Sequence, residues 1–278
     1  MRGNPPPMWI DLQQVSETNF TLDLTPPICV GPAEKLFMFG GVGLGASLSA
    51  LERVTGRPVV WATAQYESYA RPGETVTFAV EERVRGNQVS QARVSATTNG
   101  REVLNVSAAL GQRDLPERGQ WTLAPRVAPP EDCRPRQLWE GRHPDDIHSR
   151  VDFRIARGSM HGPGKDAGGS PPENGNVVMW ARPNPDLLGD YRIDPAFVAV
   201  VADYVPSGVG PALGRDAGGN SLDNSIRFHR MVETRWLLCD VQIHGVANGF
   251  AHGRMHIFAE TGELIATASQ SLILRLWD

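Results

Sequence analysis

The sequence lacks most of what marks membrane, secreted, nucleic-acid-binding or metal-dependent proteins. No apolar run approaches the ~20 residues that span a bilayer. The stretch from Met1 to Gln14 carries Pro5, Pro6 and Pro7 but no apolar segment of the secretory kind, so no signal is expected. Cysteine is scarce. Cys29, Cys133 and Cys239 are odd in number, far apart and without C-x-x-C spacing, which reads as reduced thiols in a cytoplasmic protein. Net charge is only -4 and the Lys and Arg residues are scattered, so no nucleic-acid footprint emerges; a local basic patch could still hold a phosphorylated ligand. H-E-x-x-H is absent. His252 and His256 share a strand face without a third ligand at an obvious spacing, so neither metal nor cofactor is expected.

Two motifs come close and fail. Gly41-Val42-Gly43-Leu44-Gly45-Ala46 nearly fits the dinucleotide fingerprint, but no parallel strand–turn–helix unit with a later acidic residue surrounds it; helix packing is the simpler reading. Gly45-Ala46-Ser47-Leu48-Ser49 lacks the final glycine of a nucleophile elbow.

What is present is a core and a repeated order of elements. Apolar residues make up 41% of the 278, enough for one large domain or two ordinary ones. In the first region a strand at Phe20–Leu24 precedes a buried helix within Phe37–Val54, where Leu44, Leu48 and Leu51 recur at helical spacing. Three alternating strands follow at Thr75–Glu81, Val89–Thr97 and Val103–Leu110, separated by turns at Gly86-Asn87 and Asn99-Gly100. Asp114 to Asn176 is rich in Pro and Gly; it reads as linker and surface loop around one strand at Val151–Ile155, with a loop at His161–Gly169. The second region repeats the first: a strand at Val177–Arg182, a helix at Pro195–Val205, then strands at Ser221–Arg230, Trp236–Ile243, Phe250–Ala259 and Leu264–Leu274. The halves align at an offset of roughly 160 residues, which predicts an internal duplication: residues 1–113 and 150–278 as two units joined by 114–149, each a long helix wrapped by an antiparallel sheet.

The copies differ in an informative way. Gln270 sits in the buried row Leu264, Ala266, Ala268, Leu272, Leu274, where the first copy has Ala108. Asp203 follows the apolar run Phe197 to Ala202, where the first copy has Leu44. Ser221 answers to Ala62. Each alone has a structural reading, as an exposed helix residue, a satisfied core amide or a loop hydroxyl. Polar groups at apolar positions are costly unless hydrogen-bonded, and three in one copy, on elements that must pack together, point to a site.

The motifs Phe39-Gly40-Gly41 with Leu44 and Leu48, Tyr69-Ala70-Arg71-Pro72-Gly73, and Arg85-Gly86-Asn87 before Ser90-Gln91-Ala92-Arg93-Val94 resemble the first half of bacterial type II acyl-CoA thioesterases. Trp180-Ala181-Arg182, Ala202-Asp203, Ser221-Leu222-Asp223, Phe228-His229-Arg230, Trp236-Leu237-Leu238 and Gly262 to Gln270 follow in that family's order. The resemblance covers about four-fifths of the chain. It implies an α+β double hotdog with two long helices, and hydrolysis of fatty acyl-CoA to free acid and CoA. It also implies a water held by Asp203, Ser221 and Gln270. The chain departs from the family pattern at Val42, Ala70, Met231 and Ser221, which puts substrate preference in question.

The chemistry needs little. A thioester carbonyl is electrophilic and thiolate leaves readily, so one activated water and one donor to the oxyanion suffice. Asp203 is the expected general base, with Ser221 and Gln270 orienting the water. A helix N-terminal amide is the expected oxyanion donor, at a place the sequence does not give; separately, Gly40 and Gly41 allow close approach of backbone or substrate. Asp223 is the rival base; His229 reads as structural. Arg71 and Arg230 are the candidates for CoA phosphates. Alternatives are a non-catalytic acyl-CoA or lipid binder and another hotdog enzyme such as an enoyl hydratase, for which no His-Asp signature is seen. A homodimer or dimer of dimers is the expected assembly.

Overall fold

The computed structural model describes residues 10–160 and 175–277; the expected loop at His161–Gly169 lies outside the described residues. The first half runs β1 (Gln13–Gln14), β2 (Asn19–Asp23), β3 (Cys29–Val30), β4 (Phe37–Met38), α1 (Gly40–Thr55), β5 (Val59–Tyr66), β6 (Thr75–Arg85), β7 (Val89–Thr98) and β8 (Arg101–Gly111). A connecting segment carries β9 (Arg134–Pro135) and the single turn α2 (Ile147–Arg150). The second half runs β10 (Val151–Arg157), β11 (Asn176–Pro183), α3 (Pro185–Leu188), α4 (Pro195–Ala202), α5 (Val209–Leu213), β12 (Ala217–Ser221), β13 (Asp223–Phe228), β14 (Leu237–Ala247), β15 (Phe250–Ala259) and β16 (Leu264–Leu276).

One antiparallel sheet takes up nearly every strand, in the order β1-β2-β6-β7-β8-β5-β13-β16-β15-β14-β11-β10-β9, with β12 also on β16. β5 and β13 form its centre and join the two halves; Thr63 pairs with Ser225, and their hydroxyls meet at 2.9 Å. The strands alternate as expected: Val76, Phe78 and Val80 of β6 and Ala266, Ala268, Gln270 and Leu272 of β16 point inward. At the β7–β8 turn Asn99 and Gly100 both take positive φ (49° and 74°), the geometry a two-residue hairpin demands.

α1 lies across β5 to β8 and packs on α4. Gly41, Gly43 and Gly45 each cost the helix about 1 kcal/mol relative to Ala. Leu44, Leu48 and Leu51 are fully buried and offset this at about 2–3 kcal/mol each. Two of the glycines also set the helix contact. A Cβ on Gly41 would come within 2.8 Å of Val200 Cα, and one on Gly45 within 2.8 Å of Ala196 O, so the two backbones touch without side chains between them. A single core results, in which Phe20, Phe78 and Leu44 of one half join Phe197, Val201 and Ile257 of the other. Outside the sheet, Trp180, Trp236, Leu238 and Phe258 form a smaller cluster covered by Ala124 and Val127 of the connecting segment, whose Ala128 carbonyl accepts from Trp180 Nε1 at 2.9 Å.

Two expectations need correction. The second helix is not one long element. α4 ends at Ala202, Asp203 is its C-cap, and a 3-10 turn at Val205–Gly208 separates it from α5. Pro206 explains the stop, because it has no N–H to give the Ala202 carbonyl and its ring would collide with it. The expected strand at Ser221–Arg230 is likewise two strands, β12 and β13, broken at Leu222. β5 was not expected at all. The stretch Pro195–Leu213 spans 19 residues with mean hydropathy 1.4, enough by length and composition alone to cross a membrane, but 78% of its apolar window is buried and it forms part of the core.

Candidate active site

α1 begins without a local cap. Phe39 occupies the N-cap position and offers no side-chain hydrogen bond. Asp203 takes over that role from the other half: its Oδ2 accepts from the Gly41 backbone N–H at 2.7 Å. The positive end of the α1 dipole therefore faces this carboxylate. Its other oxygen, Oδ1, accepts from the Gln270 amide, Nε2, and from Asn224 Nδ2 at 3.4 Å.

Asp203 is 5% exposed. Burial outweighs the three donors. Desolvation pushes its carboxyl up from 3.8 to about 7, while the bonds from Gly41, Gln270 and Asn224 pull the other way. A carboxylate that titrates near neutrality can accept a proton at physiological pH and release it again.

Of the three residues singled out in the sequence, the structure brings Asp203 and Gln270 into direct contact. Ser221 is more distant: it ends β12, half-buried, and its Oγ lies 3.4 Å from Gln270 Nε2. Asp223 opens β13 on the other side of the break and accepts from the Ser271 backbone N–H at 2.8 Å. Gly40 and Gly41 lie in the site as the first residues of α1. Arg71 is exposed at the turn after β5, its N–H on the Glu74 carboxylate at 2.6 Å. Arg230 is exposed past the far end of β13, with its N–H on the Ile265 carbonyl, five residues along β16 from Gln270 or on the order of 17 Å. His229 is exposed beside it. His252 is exposed on Ser271 Oγ at 3.1 Å, and no cluster of three metal-ligating side chains occurs among the described residues.

Sequence reasoning missed Asn224, which is fully buried, and Tyr66, the last residue of β5. The signal for Asn224 was available. Thr63 and Ser225, which meet across the seam, are 162 residues apart, the separation that also relates Ala108 to Gln270. At that separation Ala62 answers to Asn224 rather than to Ser221. Tyr66 gives no such signal, because it belongs to the first half and to a strand whose pattern is weak.

Three polar atoms here are buried without a bond of good geometry: Tyr66 Oη, which lies within reach of the Asn224 side chain, Asn224 Oδ1 and Gln270 Oε1. Each costs about 1–3 kcal/mol if left so, a concentration of cost that suits a place built to hold a polar ligand.

Behind the site, Tyr204 follows Asp203 directly and packs on Phe39, with ring centroids 5.2 Å apart. His148 Nδ1 lies 3.0 Å from Tyr204 Oη and 3.2 Å from Arg136 Nη1. Arginine only donates, so this nitrogen accepts and the imidazole is neutral, with its proton on Nε2. The connecting segment thus braces both the break after α4 and the start of α1.

Residues 130–274 match the family model described as the acyl-CoA thioesterase C-terminal domain. Among solved structures, a candidate thioesterase from Novosphingobium aromaticivorans is 31% identical over 96% of this chain and 98% of its own, with a TM-score of 0.84. A protein of unknown function with a hot dog fold from Alicyclobacillus acidocaldarius is 18% identical, covering 96% of each chain at a TM-score of 0.79. The acyl-CoA thioesterase II TesB2 of Mycobacterium marinum is 21% identical over 97% of this chain and 98% of its own, at 0.70. No curated protein sequence matches.

Proposed function

The chain belongs to the TesB-like type II acyl-CoA thioesterase family, with a hotdog fold and the family's thioester hydrolysis, and from that premise we propose that Asp203 is the general base which activates water against a fatty acyl-CoA. One observation carries the assignment: a buried carboxylate with its pKa raised to about 7, held between a helix N-terminus and two amides, beside an amide oxygen with unspent capacity.

The steps follow from the atoms. Asp203 Oδ2 keeps a lone pair after accepting from Gly41, and Gln270 Oε1 is unoccupied. A water that donates one hydrogen to each turns a lone pair towards the thioester carbon. Ser221 Oγ, beside the Gln270 amide, limits how that amide can rotate. As the water's oxygen adds to the carbonyl carbon, Asp203 takes its proton and the carbonyl oxygen becomes anionic. Gly40 N–H, the first amide of α1 and without an intrahelical acceptor, is the donor to that oxyanion. Collapse breaks the C–S bond; the CoA thiolate receives the proton from Asp203, leaving free acid and CoA. Asp223 is the weaker candidate for the base, since its Oδ1 is committed to the backbone of β16.

The finer readings rest on the same ground. The two halves are read as a duplication, supported by strand orders that mirror one another about the β5–β13 seam. Residues 1–113 and 150–278 are its units and 114–149 the connection. Arg71, five residues past Tyr66, suits a CoA phosphate better than Arg230. Three buried unpaired thiols suit a reducing, cytoplasmic setting. A homodimer or dimer of dimers is the expected assembly, to be tested by light scattering.

Free-thiol release from a panel of acyl-CoAs tests the base. Asp203→Asn is expected to fold and to lose about 10²–10⁴-fold in kcat. Unchanged turnover would remove Asp203 from the mechanism.

A further inference from the structure

Tyr66 closes β5; the residue as a whole is half-buried, and its hydroxyl is buried. The ring lies against Gly40: a Cβ placed there would sit 2.9 Å from Tyr66 Cζ and 2.8 Å from Asp203 Oδ2. The carbon that bears the phenol oxygen and the carboxylate of the base therefore flank one Cα, that of the residue whose N–H opens α1. The Asn224 side chain lies within reach of Tyr66 Oη but gives it no bond of good geometry, and Asn224 Oδ1 and Gln270 Oε1 lack such a partner of their own. A phenol packed only as an apolar wall gains nothing from its hydroxyl, and Phe would serve better there. A phenol whose Cζ lies where a helix N-terminus and a carboxylate meet is near enough to donate to an oxygen that enters between them.

We propose that Tyr66 is a catalytic residue of the thioester hydrolysis, its hydroxyl donating to the substrate's carbonyl oxygen as charge develops there, alongside Gly40 N–H. The proposal rests on the reading of Asp203 as the base, which fixes where the carbonyl must lie. No proton is transferred from Tyr66; it forms one hydrogen bond that strengthens in the transition state. The chemistry suits a donor that never ionises. Burial first, and then the charge of Asp203, hold the phenol well above its ordinary pKa, while the nearby Asn224 amide opposes them.

The experiment compares Tyr66→Phe with wild type and with Asp203→Asn, using a saturated acyl-CoA and an aryl thioester of the same acid. Tyr66→Phe keeps the ring and loses only the hydroxyl. The expected result is a kcat lower by about 10²-fold on both substrates, KM within about twofold, and a melting temperature no lower than wild type. Wild-type kcat in Tyr66→Phe overturns the proposal. A loss seen with acyl-CoA but absent with the aryl thioester assigns the hydroxyl to the departing sulfur and overturns the carbonyl assignment. A loss that comes with a lower melting temperature and a raised KM assigns it to packing and does the same. Asp203→Asn separates the two readings. If it abolishes turnover while Tyr66→Phe does not, the base stands and Tyr66 falls; if Asp203→Asn retains turnover, the base falls whatever Tyr66→Phe does.

Discussion

The backbone N–H of Gly41 meets Asp203 Oδ2 at 2.7 Å, across 162 residues of chain. A helix with no cap of its own is closed by a side chain from the far half, and that side chain is the proposed base. Because the donor is backbone, it cannot rotate away when the carboxylate takes a proton.

The first consequence is a pH profile. Only ionised Asp203 accepts a proton from water, and its pKa is raised to about 7. The kcat for acyl-CoA hydrolysis is expected to rise with pH through an inflexion near 7 and level off above it. A kcat independent of pH between about 5 and 9 would remove the link between this carboxyl and turnover.

Asn224 supplies a second test. Its Nδ2 donates to Asp203 and helps hold the pKa down against burial. Asn224→Ala removes that donor, so the inflexion is expected to move to higher pH and kcat measured at pH 7 to fall. A profile superimposable on wild type would mean that the 3.4 Å contact carries no weight.

Stability should show the same strain. A carboxyl whose folded pKa lies above its unfolded value favours the fold when protonated, and that contribution fades as pH rises from about 4 to about 7. Wild type therefore carries the cost of a buried charge above neutrality, and Asp203→Asn does not. The melting temperature of the variant relative to wild type is expected to grow more favourable from pH 4 to pH 7 and to change little beyond. A difference that shrinks over this window would contradict the assigned shift.

Gly45 tests the helix contact apart from the chemistry. Its missing Cβ faces the Ala196 carbonyl, which would be 2.8 Å away. Gly45→Ala gains helix propensity worth about 1 kcal/mol, but must push α4 aside, at about 1–3 kcal/mol. Net destabilisation is expected in urea unfolding; a more stable variant would show that the two helices part easily.

The strands flanking one buried face were legible because alternation records burial directly: Val76, Phe78 and Val80, or Ala266 to Leu272, can be read without a structure. α1 was legible from Leu44, Leu48 and Leu51. β5 was not, because Val59 to Tyr66 places small and polar residues such as Thr63 and Gln65 in a central strand, where neighbours on both sides supply the order its own pattern lacks. The early end of α4 was written in Pro206 and overlooked in favour of the apolar run before it. Of the site, Asp203 and Gln270 were visible as polar residues in apolar rows. Asn224 was hidden by the choice of offset, and Tyr66 by lying in the half that carries no proposed base.

The β5–β13 seam has a kinetic meaning. A site that drew its helix N-terminus from one chain and its carboxylate from another would come apart on dilution, and specific activity would fall with it. Here both arrive on a single polypeptide, joined by adjacent central strands of one sheet, so each molecule carries both parts of the proposed site whatever its concentration. Specific activity should stay constant down to dilutions at which any association between copies has been lost.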